Sequence, residues 1–251
     1  MPSVGIWGLI AAAAAALLAG SVAGARRPAA PVPDVEKYFR RWAPLHGDLD
    51  PRGSRLISGW LRLTYRLARP LAVRGVSPNA LTGWGVLLGA VALACAAMGG
   101  RGPLIGAVVV VASALLDGLD GAVAVLTGRA TRFGYVLDSL ADRTVDAGYL
   151  VALWLAGAPA AWCVAGAGGL ALLEYTRARA GNAGMGEIAV VTIGERPTRV
   201  ILAALGLGAA GLSPAHAGAL AGAAAAATAG VTAVGLGQLL VAVRRALAEA
   251  R

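Results

Sequence analysis

Charged and aromatic side chains are both scarce in this chain of 251 residues. Only 14% of the residues are charged and 5% are aromatic, whereas 58% are hydrophobic. Soluble domains contain about 25% charged residues, so this composition argues against an ordinary soluble domain. Glycine and alanine supply much of the apolar content, and small residues allow helices to pack closely in lipid. The composition therefore predicts one tightly packed helical bundle in a membrane.

Cysteine and histidine are also nearly missing. The two cysteines, Cys95 and Cys163, lie inside apolar runs, where we expect them to pack as small hydrophobic residues. They provide neither a disulfide framework nor a zinc site. The two histidines, His46 and His216, are isolated in predicted loops, which argues against a catalytic histidine.

Lysine occurs once, against 21 arginines, and the formal net charge is +9. A protein that binds nucleic acid would carry such charge on a soluble surface. Here the arginines lie between long apolar runs. Membrane lipids with anionic headgroups and phosphate-bearing substrates are therefore the expected partners, and nucleic acid is not.

The first long apolar run is Val4–Ala25, and a helix needs about 20 apolar residues to cross a bilayer. Its end resembles a signal-peptide cleavage site, but no basic region precedes the run. Cleavage would also leave the arginine-rich residues 26–79 outside, against the positive-inside rule. An uncleaved N-terminal transmembrane helix over residues 1–27 is therefore preferred over a signal peptide.

Residues 28–79 are predicted to form a cytoplasmic segment. Five prolines and mixed charges over 28–53 indicate irregular structure. The pattern over 54–71 predicts an amphipathic helix that lies on the membrane surface. The alternative is a helix packed on a soluble neighbour, but no soluble domain is visible. Its apolar side contains Leu56, Ile57, Trp60, Leu63, Thr64, Leu67 and Leu71, and its charged side contains Arg55, Arg62, Arg66 and Arg69.

Six further apolar segments predict a six-helix membrane domain over residues 80–245, followed by a cytoplasmic tail over 246–251. With six crossings, every basic residue except Arg101 falls on one side, which the positive-inside rule makes cytoplasmic. The chain is thus predicted to be a multi-pass protein of the cell membrane. The segments cover about 80–99, 103–126, 135–157, 160–180, 197–212 and 216–243.

Five aspartates fall inside these apolar segments, where a charged side chain costs about 2.5–3.5 kcal/mol. Asp117 and Asp120 lie three residues apart on the second core segment, and Asp138, Asp142 and Asp146 follow at intervals of four on the third. Residues three and four apart share a helix face. Because the connection between the two segments is short, the two acidic faces are expected to meet near one membrane boundary.

Carboxylates that converge in this way cannot all stay ionised without positive charge nearby. Their hard oxygens suit Mg²⁺ or Mn²⁺, and such sites commonly share the ion with a substrate phosphate. Gly118 and Gly121 keep the helix thin beside the acids, which leaves room for a nucleotide diphosphate. A proton or cation pathway lined with acids is the alternative, although the surrounding arginines argue against it.

The run Asp117-Gly118-Leu119-Asp120-Gly121-Ala122-Val123-Ala124, with Gly134, Asp138 and Asp142, resembles the signature of CDP-alcohol phosphotransferases. That signature reads D-x2-D-G-x2-A-R-x8-G-x3-D-x3-D, and every spacing fits. Upstream, Pro78-Asn79-Ala80-Leu81-Thr82 resembles the P-N-x-L-T start of the family's first core helix, and the likeness covers about residues 75–245. One position departs, because Val125 stands where the family has arginine.

The resemblance implies an all-α, six-helix CDP-alcohol phosphotransferase-like bundle, to which this chain adds the N-terminal helix and the amphipathic helix. The implied reaction transfers a phosphatidyl group from CDP-diacylglycerol to a hydroxyl acceptor and releases CMP. Two Mg²⁺ or Mn²⁺ ions would be ligated, and Asp142 would also be the catalytic base. The implied ligands are Asp117, Asp120, Asp138 and Asp142; donor binding would involve Asn79, Thr82, Gly118, Gly121 and Gly134.

Three residues near the signature complete this interpretation. Arg129 or Arg132 is hypothesised to supply the charge that Val125 lacks at the donor site. Asp146 is interpreted as a supporting acid rather than a metal ligand. A catalytically impaired homologue and a cation or proton transporter remain the alternatives to an active enzyme.

Two arginine-rich stretches mark the acceptor side: Glu174-Tyr175-Thr176-Arg177-Ala178-Arg179-Ala180 and Glu195-Arg196-Pro197-Thr198-Arg199. Arginine binds phosphate through two parallel hydrogen bonds, although any one of these arginines also fits ordinary cytoplasmic flanking of helices. With Thr131–Gly134, the stretches resemble the phosphatidylinositol-phosphate synthase branch of the family. Arg177, Arg196 and Arg199 would then bind the phosphate of a phosphorylated polyol acceptor.

The identity of that acceptor stays open between inositol phosphate and glycerol 3-phosphate, because no residue separates the two. Family members often form homodimers, so a homodimer is an expectation from the resemblance alone.

Overall fold

The computed structural model describes residues 3–25, 31–46, 49–185 and 191–249. The ends of the predicted N-terminal helix and tail, and parts of the predicted cytoplasmic segment at 28–30 and 47–48, lie outside the described residues. The described residues are almost entirely helical and include no strand, which confirms the all-α prediction. The helices are α1 (Ser3–Ala23), α2 (Val35–Trp42), α3 (Arg55–Val73), α4 (Pro78–Ala97), α5 (Gly102–Thr127), α6 (Arg132–Leu155), α7 (Ala160–Asn182), α8 (Arg196–Leu212) and α9 (Ala217–Glu249).

Helices α4 to α9 coincide with the six predicted core segments, and α1 and α3 also form where helices were predicted. Local chemistry sets several of the ends. Pro78 begins α4, where its missing N–H costs nothing because the first N–H groups of a helix have no partner within the helix. Gly128 follows α5 with a φ of +67°, a conformation that other residues rarely adopt.

Helix α2 corrects the prediction that residues 28–53 are irregular. The Asp34 side chain caps this helix by accepting a hydrogen bond of 2.8 Å from the backbone N–H of Lys37. Tyr38 and Phe39 on α2 are each only 1% exposed. The prolines flank the helix instead of interrupting it, and burial of the two aromatic rings stabilises a helix that its local sequence favours only weakly.

Three stretches within the described residues are long and apolar enough to cross a membrane: Pro78–Ala97, Gly102–Thr127 and Pro214–Ala248. The chain is a multi-pass membrane protein. The predicted total of six core spans and one N-terminal span stays a prediction, because α6 carries four charged residues between Asp138 and Asp146 and α8 has only 17 residues.

The chain divides into two compact units, and the first contains Met1–Leu88 and Ala112–Asp142. Within it, α1 packs on α4: the Trp84 indole N–H donates to the Ser21 hydroxyl at 3.2 Å, and a side chain at Gly83 would press on Leu17. The core of this unit joins α2, α3, α4 and α5. Its buried members are Tyr38, Phe39, Leu61, Ala68, Ala72, Leu81, Leu119, Ala122, Val123 and Leu126.

Helix α3 presents three faces rather than the two that were predicted. One face is buried in the core of the first unit and contains Leu61, Thr64, Ala68 and Ala72. The predicted charged face is exposed. A third face exposes bulky apolar side chains, namely Leu56, Trp60, Leu63 and Leu67. A helix that is anchored on one side and apolar on another remains suited to a membrane surface, and that location stays a prediction.

The second unit contains Gly89–Val111 and Arg143–Arg251. In it, α9 packs along both α7 and α8. Small residues permit the close approach: a methyl group at Gly206 would collide with Ala224, and one at Gly169 would collide with Thr232. This agrees with the packing expected from the glycine and alanine content. Cys95 and Cys163 are buried free cysteines, in line with the packing role predicted for them.

Candidate active site

Three of the predicted aspartates come together in the first unit. Asp117 lies on α5, and Asp138 and Asp142 lie one turn apart on α6. Each offers a carboxylate oxygen, these oxygens lie within 4.8 Å of one another, and each residue is half-buried. The two acidic helix faces therefore meet, as the spacing predicted. At that separation two ionised carboxylates repel each other by ~3 kcal/mol at an effective dielectric constant of 20.

This donor set fits a divalent cation. Carboxylate oxygens are the ligands that Mg²⁺ and Mn²⁺ prefer, and three of them in reach of one point can replace part of the water shell of an ion. Because the three residues are only half-buried, an ion held there can also meet a substrate oxygen.

Asp120 is oriented differently from the other three acids. It is 5% exposed and does not belong to the group of three. Its carboxylate accepts a hydrogen bond from the Thr82 hydroxyl on α4 and another, of 2.5 Å, from the Gly121 N–H. Thr82, predicted to bind the donor, therefore contacts a predicted metal ligand.

The glycines predicted to make room for the donor differ in their surroundings. A methyl group at Gly118 would lie 3.0 Å from the Trp60 ring, so Gly118 allows α3 to approach α5. Gly121 has open space beside it. A methyl group at Gly134 would lie 3.3 Å from the Asn79 side-chain oxygen. The structure thus brings Asn79 and Gly134, two predicted donor contacts, together.

The arginines considered as replacements for Val125 both lie in the first unit. Arg129 donates a hydrogen bond of 3.3 Å to the Gly75 carbonyl, whereas Arg132 is exposed at the start of α6. Arg41 on α2 donates to the Val125 carbonyl at 3.4 Å. Sequence reasoning missed Arg41 because it lies in the segment that was predicted to be irregular.

A second polar cluster lies in the second unit around Arg199 of α8. The Arg199 side chain is 4% exposed. Its Nε donates to Asp146 of α6 at 2.9 Å, its Nη2 donates to Glu174 of α7 at 3.2 Å, and its Nη1 donates to the Gly194 carbonyl. This buried guanidinium therefore ties three helices together.

The other two predicted phosphate-binding arginines also contact acids. The Arg196 Nε lies 3.5 Å from an oxygen of Asp146. Arg177 donates to Glu195 at 2.5 Å, and the same Glu195 oxygen accepts from the backbone N–H and the hydroxyl of Thr192, both at 2.9 Å. Burial alone would raise the pKa of Glu195, but these hydrogen bonds and the Arg177 charge outweigh it and lower the pKa below its ordinary value.

Arg143 of this cluster was missed as a site residue. Arg143 donates to Glu174 at 2.5 Å. Asp146 is 3% exposed and pairs with arginines, and its role as a supporting acid stays a prediction. The spacing of three between Arg143 and Asp146, inside an apolar segment, was the available indication of a buried ion-pair network.

Comparison with known proteins identifies the family of the chain. Residues 75–238 match the family model described as CDP-alcohol phosphatidyltransferase. An archaetidylinositol phosphate synthase of Pyrococcus horikoshii is 36% identical over 139 residues, which cover 55% of this chain and 72% of that protein. A phosphatidylinositol phosphate synthase of Streptomyces avermitilis is 29% identical over 217 residues, which cover 79% of this chain and 84% of that protein.

A solved structure shares the fold. The phosphatidylinositol phosphate synthase PgsA1 of Mycobacterium tuberculosis with CDP-DAG bound is 28% identical and matches with a TM-score of 0.60, covering 72% of this chain and 94% of that chain. The same enzyme in complex with manganese and citrate matches with a TM-score of 0.59, covering 72% of this chain and 88% of that chain. Since the family model spans well over half of the sequence, the chain belongs to the CDP-alcohol phosphatidyltransferase family and is a transferase of the membrane.

Proposed function

We propose that this protein transfers a phosphatidyl group from CDP-diacylglycerol to a hydroxyl of a phosphorylated polyol and releases CMP. The observation that carries the proposal is the convergence of Asp117, Asp138 and Asp142 at the signature positions. Membership of the family supplies the class of reaction. The CDP-DAG bound to the Mycobacterium tuberculosis enzyme supports the choice of donor.

The proposed cofactor is a pair of Mg²⁺ or Mn²⁺ ions. Asp117, Asp138 and Asp142 would hold them together with Asp120, which Thr82 and the Gly121 N–H keep in a defined orientation. The manganese complex of the structural neighbour supports the use of a divalent metal. When bound, such ions neutralise phosphate charge and polarise a coordinated hydroxyl.

The positions of the protein's own side chains support the roles proposed for them. Asp142 would accept the proton of the acceptor hydroxyl on a carboxylate oxygen as that hydroxyl oxygen bonds to the lipid-linked phosphorus and CMP leaves. Its half-buried position leaves the carboxylate within reach of substrate while partly shielding it from water. The open side of α5 at Gly121, with Asn79, Gly134, Thr82 and the charges of Arg129 and Arg132, would form the donor site; Gly118 would contribute by its small size.

The acceptor phosphate would meet the arginine cluster of the second unit, in particular Arg177 and Arg196. Their side chains are 28% and 17% exposed, so both retain surface that a solute can reach. Inositol phosphate is the proposed acceptor, because the named relatives are synthases of inositol phosphate lipids. Glycerol 3-phosphate is its rival.

The cellular setting is also proposed. The chain would lie in the plasma membrane with its active site on the cytoplasmic side, because nearly all its arginines fall there under the predicted topology. It would form a homodimer, as the family resemblance implies. Helix α1 would remain as an additional membrane helix, supported by its packing on α4 through Trp84 and Ser21. Helix α3 would lie on the membrane surface.

The decisive test is CMP release by the purified full chain with CDP-diacylglycerol and Mg²⁺. Inositol phosphate, glycerol 3-phosphate and free inositol are compared as acceptors, and Asp142→Asn serves as the control. CMP release that needs inositol phosphate and is lost in the variant supports the proposal. CMP release that favours glycerol 3-phosphate would overturn inositol phosphate as the proposed acceptor. If no acceptor gives CMP release, the result supports a catalytically impaired homologue.

The departure at Val125 has its own test. Binding of CDP-diacylglycerol is measured for Arg129→Ala and Arg132→Ala, with Arg74→Ala, an exposed arginine of the same unit, as the matched control. We expect the donor dissociation constant to rise in at least one of the first two variants. Unchanged binding in both would remove these arginines from the donor site.

A further inference from the structure

The polar cluster of the second unit is an alternating row of charges. In order, Arg143 pairs with Glu174, Glu174 with Arg199, Arg199 with Asp146, and Asp146 with Arg196. We define these five residues as the charge ladder. Each acid contacts two arginines, so each acid links the orientation of one arginine to that of the next.

Exposure differs between the middle and the ends of the charge ladder. Arg199 in the middle is 4% exposed, whereas Arg196 and Arg143 at the ends are 17% and 37% exposed. The side chains of Asp146 and Glu174, the two acids between them, are 1% and 12% exposed. Only the end arginines present substantial surface to a dissolved anion.

The donors of Arg199 are already engaged. Its Nε and Nη2 meet Asp146 at 2.9 and 2.8 Å, its Nη2 also meets Glu174 at 3.2 Å, and its Nη1 meets the Gly194 carbonyl. A guanidinium has only five N–H groups in a rigid planar fork. All three nitrogen atoms of Arg199 therefore face protein oxygens, and a phosphate would have to displace a carboxylate from a buried position to bind there.

We propose that Arg199 is a positioning residue and that Arg143 is a further phosphate-binding residue of the acceptor site. Arg199 holds Asp146 and Glu174, and these two acids aim the guanidinium groups of Arg196 and Arg143. The inference rests on the proposed function for the identity of the anion as the acceptor's phosphate. The sequence predicted that Arg199 contacts the acceptor phosphate directly, and the inference replaces that role with a positioning role.

The two possible roles of Arg199 predict opposite changes in phosphate affinity for the variant Asp146→Asn. If Arg199 binds phosphate, Asp146 competes with the ligand, and Asp146→Asn strengthens binding. If Arg199 positions its neighbours, Asp146→Asn weakens binding because Arg196 loses the acid that aims it. Arg199→Lys keeps the positive charge but loses the planar guanidinium that holds both acids, so it weakens phosphate binding as well.

The test measures inorganic phosphate and inositol phosphate as ligands of the full chain, by the rise of the thermal unfolding midpoint with ligand concentration. This measurement needs no turnover. We expect Arg143→Gln to weaken phosphate binding about tenfold, as loss of a charge-assisted contact does, and Asp146→Asn to weaken it severalfold. Arg101→Gln, an exposed arginine of the second unit outside the charge ladder and outside both acceptor stretches, serves as the matched control and should leave binding unchanged.

Tighter phosphate binding by Asp146→Asn, or unchanged binding by Arg143→Gln, overturns the inference. If Asp146→Asn does not fold, Glu174→Gln asks the same question, because it also leaves Arg199 with one acid. In turnover assays, Asp146→Asn should raise the KM for the acceptor and leave the KM for CDP-diacylglycerol unchanged. Phosphate binding without CMP release would refute the proposed reaction while the charge ladder stands.

Discussion

The two polar clusters of this protein handle charge in opposite ways. In the first unit, three carboxylates of the same sign gather within 4.8 Å of one another on α5 and α6. In the second unit, arginines and acids alternate along the charge ladder and contact each other at 2.5–3.5 Å. One cluster concentrates negative charge, and the other pairs each of its two acids with arginines and keeps one net positive charge.

The difference indicates what each cluster is suited to bind. Like charges at close range are costly to assemble, so a cluster of carboxylates gains most from a cation that neutralises them. An alternating row is already stable, and its binding capacity lies in the arginines at its exposed ends. Fixed, preorganised arginines lose little freedom when they bind phosphate, which favours selectivity for the geometry of the anion.

The largest expected effect comes from Asp142→Asn, which tests whether the like-charged cluster performs the chemistry. Removing a general base lowers turnover by about 10²- to 10⁴-fold, and losing one metal-binding carboxylate also weakens Mn²⁺ binding. Turnover is measured by CMP release, and Mn²⁺ binding by electron paramagnetic resonance. The control is Asp50→Asn, because Asp50 is exposed and distant in sequence from Asp142. Near-normal turnover in Asp142→Asn would show that the carboxylate cluster does not perform the chemistry.

A smaller effect is expected from Arg177→Ala, which tests the anion-binding cluster. Loss of a charge-assisted hydrogen bond to phosphate is worth about 1.5–3 kcal/mol, so the KM for the acceptor should rise by roughly 10- to 100-fold. The KM for CDP-diacylglycerol should not change. Arg101→Ala, an exposed arginine of the same unit, provides the matched control. A rise in both KM values would show that Arg177 supports the fold instead of selecting the acceptor.

Thr82→Val is expected to weaken Mn²⁺ binding by about tenfold. The Thr82 hydroxyl donates to Asp120, and a hydrogen bond of this kind holds a metal-binding carboxylate in its working orientation. Valine keeps the shape but lacks the hydroxyl, whereas Thr82→Ser keeps the donor and should bind Mn²⁺ nearly as well as the wild type. Equal affinities for all three proteins would remove Thr82 from the metal site.

The smallest expected effect concerns pH and Glu195. Its pKa in the folded protein lies below the ordinary 4.5, so its ionised form stabilises the fold above that pH. This stabilisation is lost as the pH falls through the lowered pKa. Compared with Glu195→Gln, the wild type should unfold about 2–4 °C higher near neutral pH, and the difference should shrink in acid. A difference that does not depend on pH would show that the charge of Glu195 contributes nothing.

Much of the candidate site could be predicted because it depends on spacing along single helices. Asp117, Asp138 and Asp142 recur at helical intervals in apolar segments joined by a short connection, and these features alone bring the two acidic faces together. Asp120 shows the limit of this reasoning. Asp120 lies on α5 as predicted, but its side chain accepts a hydrogen bond from Thr82, which is 38 residues away in sequence.

The sequence by itself determined the membrane class, the positions of α1 and of α3 to α9, and the acidic signature, because hydrophobic runs, helix ends and residue spacing act over short distances. The tertiary structure decided which face of α3 is buried, that α2 forms at all, and that Arg199 lies among acids from two other helices. Those outcomes depend on packing and ion pairing between residues distant in sequence. In such contacts the burial of an aromatic ring, or the need to pair a buried charge, outweighs the local preference of the chain.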